Sequence, residues 1–194
     1  MPAHLIIIQG PSGTGKTRLA TELSTRLGYS VFAKDAFKEE QYDAAGRKIP
    51  LKKWASIEFA SWEMMFERIE QTIRGHGALI VEGNFKRSHV KKLRALITDQ
   101  TNVVEIYCFA RGWVPYRRYV ARVRSGERHW GHRDHLWGPL VWGEVLFSQF
   151  GLVHFAPLNL TTDILRVDAT DFSAVDYDEL TRQVVRRQQS HTVQ

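Results

Sequence analysis

His4-Leu5-Ile6-Ile7-Ile8-Gln9, followed at once by Gly10-Pro11-Ser12-Gly13-Thr14-Gly15-Lys16-Thr17, is the stretch on which the fold turns. The first six residues form an apolar, β-branched run that stops at Gly10. That is the pattern of a strand buried on both faces of a parallel sheet. The next eight match G-x-x-x-x-G-K-[ST], and the helical character of residues 16–27 supplies the strand–loop–helix setting that the motif requires. The glycines let such a loop curl until successive N–H groups point at phosphate oxygens. The helix N-terminus adds about half a positive charge. Lys16 then reaches the β- and γ-phosphates and Thr17 ligates Mg2+. The expected nucleotide contacts are Gly10, Ser12, Gly13, Thr14, Gly15, Lys16 and Thr17. The plainer alternative is a glycine-rich turn. A dinucleotide fingerprint fits worse, because the spacing is not G-x-G-x-x-G and the lysine goes unexplained.

Outward from this stretch, strand-like and helix-like segments alternate. Gly28 ends the first helix and Ser30–Ala33 reads as a second strand. Residues 51–74 read as a long helix, with Trp62, Phe66, Ile69 and Ile73 recurring along one face before Gly75 and Gly77. Ala78–Glu82 is a third strand, 88–97 a helix and Val103–Phe109 a fourth strand. Pro139 and Gly151 bracket a further helix, and Ile164–Val167 reads as a fifth strand. Asp176 with Glu179 resembles a capping box, opening a last helix whose apolar face continues through Leu180 and Val184. This order predicts a doubly wound α/β fold around a mostly parallel five-stranded sheet. One domain over residues 1–194 is expected, with an arginine-rich helical lid over 111–135 and a helical insertion over 136–160.

A chain of 194 residues suits one compact domain. With 43% apolar and 25% charged residues it is neither disordered nor fibrous. Lys and Arg number 27 against 21 Asp and Glu, and the net charge of +6 fits an anionic ligand without by itself pointing to nucleic acid. The single cysteine, Cys108, forms no internal disulfide, so a reducing cytoplasm is expected. Met1-Pro2-Ala3-His4 lacks a charged leader region and Leu5–Ile8 is too short for a signal peptide or membrane span, so no membrane association is expected.

Two carboxylates stand where α/β ligands bind. Asp35 lies just beyond the second strand, with Lys34 and Lys38 beside it; it reads either as a group that orients an acceptor hydroxyl or as the N-cap of the next helix. Glu82 ends the third strand before Gly83-Asn84-Phe85. A carboxylate there needs a partner. Mg2+ or an acceptor hydroxyl would serve, and so would Lys86 or Arg87. In the lid, Arg118 and Arg122 are four apart and share a helical face, and Arg111 lies seven before Arg118. Such a row either neutralises charge on a transferring phosphoryl group or is a solvated basic face. His129, His132 and His135 are spaced by three but lack a nearby cysteine or fourth ligand, so no metal other than Mg2+ is expected. Trp113, Trp130, Trp137 and Trp142 read as packing before base stacking.

Taken together, Gly10 to Thr17, Lys34-Asp35-Ala36-Phe37-Lys38 and Leu79-Ile80-Val81-Glu82-Gly83-Asn84-Phe85 resemble the P-loop kinase family. The nearest branch is that of small ATP-binding proteins related to polynucleotide kinase, zeta toxin and chloramphenicol phosphotransferase. Arg122, Arg124 and Ser125 to His132 resemble the lid of that branch. The resemblance implies that Asp35 is the acceptor-orienting base, that Glu82 stands at the Walker B-type acid with Thr17 at the metal, and that Arg118 and Arg122 clamp phosphates. It also implies that the loop after Val167, with Asp168 and Thr170, borders the adenine. Lys38 stands where polynucleotide kinases typically have Arg, and the His-Pro element of zeta toxins is absent. The expected activity is ATP- and Mg2+-dependent phosphorylation of a hydroxyl on a small molecule such as a nucleoside, sugar or antibiotic, by a monomer or homodimer. A 5′-hydroxyl polynucleotide kinase and a non-enzymatic nucleotide-dependent switch are the rivals. No readable code names the acceptor.

Overall fold

A computed structural model of the protein describes residues 2–46, 49–126, 128–132 and 156–190. Lid positions 127 and 133–135, and the helix expected between Pro139 and Gly151, lie outside the described residues. Five parallel strands, β1 (Ala3–Gln9), β2 (Ser30–Ala33), β3 (Ala78–Gly83), β4 (Thr101–Phe109) and β5 (Leu165–Asp168), form one sheet in the order β2-β3-β1-β4-β5. Around it the described residues form the helices α1 (Lys16–Leu27), α2 (Lys34–Ala45), α3 (Leu51–Arg74), α4 (Arg87–Leu96), α5 (Val114–Arg124) and, after β5, α6 (Tyr177–Ser190).

β1 takes the central place because it has no polar face. Leu5 and Ile7 join the layer beneath α3 and α4, with Met65, Phe66, Ile69 and Leu93. Ile6 and Ile8 face the opposite layer, with Leu19, Ala20 and Leu23 of α1 and Leu180 and Val184 of α6. Adjacent strands β1 and β3 therefore send their following helices, α1 and α4, to opposite faces. The crevice at their carboxyl ends is the place where open α/β sheets bind ligands.

The expected five-stranded doubly wound architecture is the one observed, and every strand is parallel. One helix had no readable pattern. α2 begins directly after β2, and its buried positions, Lys34, Phe37 and Tyr42, form no apolar stripe. Its N-cap is Ala33, with no side-chain cap, so Asp35 sits inside the first turn and the N-cap role expected as its alternative does not hold. In α6, Asp176 accepts from the Glu179 N–H at 2.8 Å, but the Glu179 carboxylate turns to Arg182, leaving half a capping box.

Trp130 begins a short 3-10 turn, Trp130–His132, beyond α5. Its ring lies 5.9 Å from the fully buried Tyr42, which also meets Trp54 at 4.7 Å. With Ile49 and Ile57 these rings make a small third core that fastens this turn to α2 and α3. Trp130 is thus packing, as expected, whereas Trp113 is 51% exposed. Among the described residues no helix is long and apolar enough to cross a membrane.

Ile69 is fully buried on α3 and Phe59, ten residues earlier, is 67% exposed. Ile69→Ala should destabilise the protein by about 2–5 kcal/mol in denaturant unfolding. Phe59→Ala should change stability by no more than about 0.5 kcal/mol. Equal effects would show that the buried layer has been assigned to the wrong face of α3.

Candidate active site

The loop between β1 and α1 is held tightly against its neighbours. At Gly10 a Cβ would lie 2.0 Å from the Cys108 carbonyl oxygen, and at Gly13 (φ 77°) it would lie 2.2 Å from the Pro115 carbonyl oxygen. Only glycine permits both approaches. Thr14 is completely buried and its hydroxyl donates to the Pro11 carbonyl at 2.9 Å, so its side chain braces the loop and leaves its N–H for a ligand. Lys16 Nζ donates to the same carbonyl at 2.9 Å. Burial lowers the pKa of this ammonium, against the pull of Glu82, Cys108 and Asp35. Ser12 accepts from Asn84 Nδ2 at 2.9 Å, tying the loop to the end of β3.

Glu82 is buried, and the Thr17 hydroxyl donates to its Oε1 at 3.2 Å. Burial pushes the Glu82 carboxyl up, against the opposing pull of Lys16. A hydroxyl and a buried carboxylate are hard oxygen donors, and a carboxylate that resists ionisation in place is stabilised by a cation. The pair therefore fits Mg2+.

Asp35 faces Glu82 and Lys16 across the crevice. Burial alone would raise its carboxyl, but Lys34, His132, Lys38 and Arg128 outweigh this and hold it at about 2. Its side chain still presents 48% of its surface to the open crevice, within reach of a ligand. The two lysines are fixed from behind: Glu58 of α3 takes Lys34 Nζ at 2.6 Å and Lys38 Nζ at 2.9 Å. Trp62 Nε1 donates to the same Glu58 carboxylate at 3.3 Å.

The arginines divide. Arg122 joins the crevice as expected, with its charge felt at Lys16 and Glu82. Arg118 also borders it, but donates to the carbonyls of Ala169 (2.8 Å) and Thr170 (3.0 Å) and lies 3.8 Å from the Phe172 ring centroid. Arg111 does not belong to the row. It lies before α5 and pairs with Asp168 at 2.7 Å. Asp168 also accepts from the Thr170 N–H at 3.0 Å and from the Thr170 hydroxyl. Asp168 and Thr170 thus shape the β5 loop outside the crevice, and it is the Thr170 carbonyl that reaches Arg118.

Lys16, Thr17, Asp35, Glu82, Arg118 and Arg122 line one cleft of 370 Å3, open at the carboxyl ends of β1 and β3. Sequence reasoning missed Glu58 and Glu39. Glu39 accepts from His132 Nε2 at 2.8 Å. Neither belongs to a motif. Among the described residues no cluster of three or more His, Cys, Asp and Glu side chains gathers to hold a metal; His129 instead meets Asp43 at 3.0 Å.

Residues 5–135, more than half of the chain, match the family described as an AAA domain. A crystal structure from Chloroflexus aurantiacus J-10-fl, provisionally described as a kinase, shares 28% identity at a TM-score of 0.84, covering 96% of this chain and 99% of that one. A gluconokinase from Sinorhizobium meliloti 1021 (16% identity, TM-score 0.52, 97% and 93% covered) has the same fold. So does APS kinase from Mycobacterium tuberculosis in complex with AMPPNP and APS (16%, 0.53, 96% and 97%). No curated protein matches. The fold and the loop define a nucleotide-binding P-loop protein. Within that class, this chain belongs to the P-loop kinase family.

Burial tends to raise the Glu58 carboxyl, but Lys34 and Lys38 outweigh it and bring it from 4.5 to about 2. A folded pKa below the unfolded one adds stability above pH 4.5 that is lost as pH falls through the folded value. Unfolding free energy should therefore decline between about pH 4.5 and 2, and less steeply in Glu58→Gln. Urea unfolding across that range checks this, and parallel pH profiles would remove Glu58 from the linkage.

Proposed function

We propose that the protein transfers the γ-phosphoryl group of ATP to a hydroxyl of a small molecule. The observation that carries this reading is the meeting, in one cleft, of the Lys16–Thr17–Glu82 phosphate end with an ionised carboxylate, Asp35, backed by two lysines. A binding switch needs the first half only. The second half is what an acceptor requires.

Loop N–H groups from Ser12 to Thr17 and the Lys16 ammonium cradle the triphosphate. Thr17 and Glu82 would hold Mg2+, which when bound would supply positive charge to the triphosphate. The Arg118 guanidinium, kept flat by two carbonyls and Phe172, offers a stacking face to the base. Asp35 accepts a hydrogen bond from the acceptor hydroxyl and aims its oxygen at the γ-phosphorus. With its carboxyl at about 2, Asp35 is a weak base, so it orients first and takes the proton late. That suits a loose transition state, in which bond breaking to the ADP oxygen runs ahead of attack. The new O–P bond forms, the bridging electron pair leaves with ADP, and the proton passes to Asp35. Arg122 supplies positive charge over the moving group.

Lys16→Ala should abolish most ATP turnover in a protein that still folds. Asp35→Asn should keep ATP binding and slow transfer by about 10²-fold or more. An acceptor screen that follows ADP release reads both; undiminished transfer in Asp35→Asn would remove the carboxylate from the chemistry.

The two lid arginines should separate. Arg118→Ala should weaken ATP binding by about tenfold through its lost stacking face. Arg122→Ala should slow single-turnover transfer by about 10²-fold with little change in binding. Identical behaviour of the two variants would contradict the division of roles.

A further inference from the structure

The strand order β2-β3-β1-β4-β5 also sets an order along the cleft. At one end Arg118 meets the loop that follows β5, through the Ala169 and Thr170 carbonyls. At the other end Asp35 follows β2. The glycine-rich loop follows β1, between the two. β3 separates this loop from Asp35, and the residue it delivers there, two places after Glu82, is Asn84. A phosphoryl group passed from a nucleotide in the loop to an acceptor at Asp35 crosses the end of β3.

Asn84 is held on both sides in the chain. Phe85 is buried, with its ring 5.2 Å from that of Trp62. At Gly83 a Cβ would lie 3.3 Å from Lys34 Cβ and 3.5 Å from the Trp62 ring, so the backbone has little room to slide. The side chain is held as well, since Nδ2 donates to Ser12 Oγ at 2.9 Å. Ser12 adjoins Pro11, whose carbonyl takes the Lys16 ammonium at 2.9 Å. This lip of the loop therefore lies beside the group that reaches β- and γ-phosphates. An amide nitrogen carries two N–H groups, and Ser12 takes one. Among the described residues no other side-chain hydrogen bond involves Asn84, and Asn84 lines the cleft. It shares that wall with Glu82 and faces the side of Asp35, so it supplies a neutral donor where a third carboxylate would repel a phosphate.

We infer that Asn84 donates its second N–H to an oxygen of the γ-phosphate, and that through this contact the cleft tells a nucleoside triphosphate from a diphosphate. This rests on the kinase reading and adds to it a residue outside the glycine-rich loop. Once the phosphoryl group has left, ADP lacks the oxygen that Asn84 holds, so the contact retains the substrate nucleotide and not the product.

The test is calorimetric titration of AMPPNP and of ADP, each with Mg2+, into the whole protein at about pH 8, where an introduced carboxyl is ionised. Asn84→Ala should weaken AMPPNP by about tenfold, the scale of one hydrogen bond to a charged group, and ADP by no more than about twofold. Asn84→Asp separates contact from bracing. It keeps the shape, and the Ser12 hydroxyl can donate to the new carboxylate, so the tie to the loop survives. It also sets a negative charge against the γ-phosphate, and should weaken AMPPNP by about thirtyfold or more and ADP by about threefold or less. A bracing role alone predicts that Asn84→Asp binds AMPPNP as wild type does. Should Asn84→Ala fail to fold, Asn84→Asp carries the test. Equal losses for AMPPNP and ADP, or wild-type AMPPNP affinity in Asn84→Asp, overturn the inference and leave the kinase reading standing. Failure of the wild-type protein to bind AMPPNP overturns that reading instead.

Discussion

Where β1 ends, its backbone passes so close to the Cys108 carbonyl that no side chain fits at Gly10. That approach lets the chain turn back over β4 before entering α1, and the rest of the cleft is measured from it. Thr14 and Lys16 both find the Pro11 carbonyl, which locks the turn from inside. Register then carries the position across the sheet: Ile8 lies level with Glu82 on β3, and Ala33 of β2 is level with the same residue. Glu82 and the start of α2 are thereby set at one height. Asp35 enters the cleft because β2 passes into α2 without a loop.

The two carboxylates of the cleft are pushed in opposite directions. Glu82 is buried, and burial dominates, so its charge needs a cation. Asp35 keeps an open side and a ring of basic neighbours, so it stays ionised. Different environments for two like groups in one site are the usual physical mark of an acid–base division. Glu58 makes the second environment last, since Lys34 and Lys38 would otherwise repel each other a single helical turn apart on α2.

The parts of the molecule written in local pattern were legible. An unbroken apolar strand, a glycine-rich loop and a 24-residue amphipathic helix α3 each announce themselves within a short window. Boundaries moved by a residue or two, as at β4 and β5, because strand ends are set by pairing partners. What was hidden depends on contacts between distant residues. α2 has no apolar stripe because much of what it buries is a lysine and a tyrosine held by Glu58, Trp54 and Trp130. Glu39 and Glu58 are ordinary helix-face glutamates until His132, 93 positions on, and Lys34, from another helix, come to meet them. The row drawn through Arg111 failed for a related reason: helical spacing was extended across a residue that precedes α5.

Cys108 is the only cysteine in the chain, and it is fully covered, with its thiol 3.5 Å from the Thr14 carbonyl under the glycine-rich loop. Burial also raises its pKa, so little thiolate is present at neutral pH. The native protein thus carries an inert thiol whose cover is the nucleotide-binding turn itself. Its rate of alkylation becomes a clock for how often that turn lifts from β4, readable with a simple thiol reagent and no engineered label. It also leaves the surface clear for a fluorophore on an introduced cysteine, with no competing native site to remove.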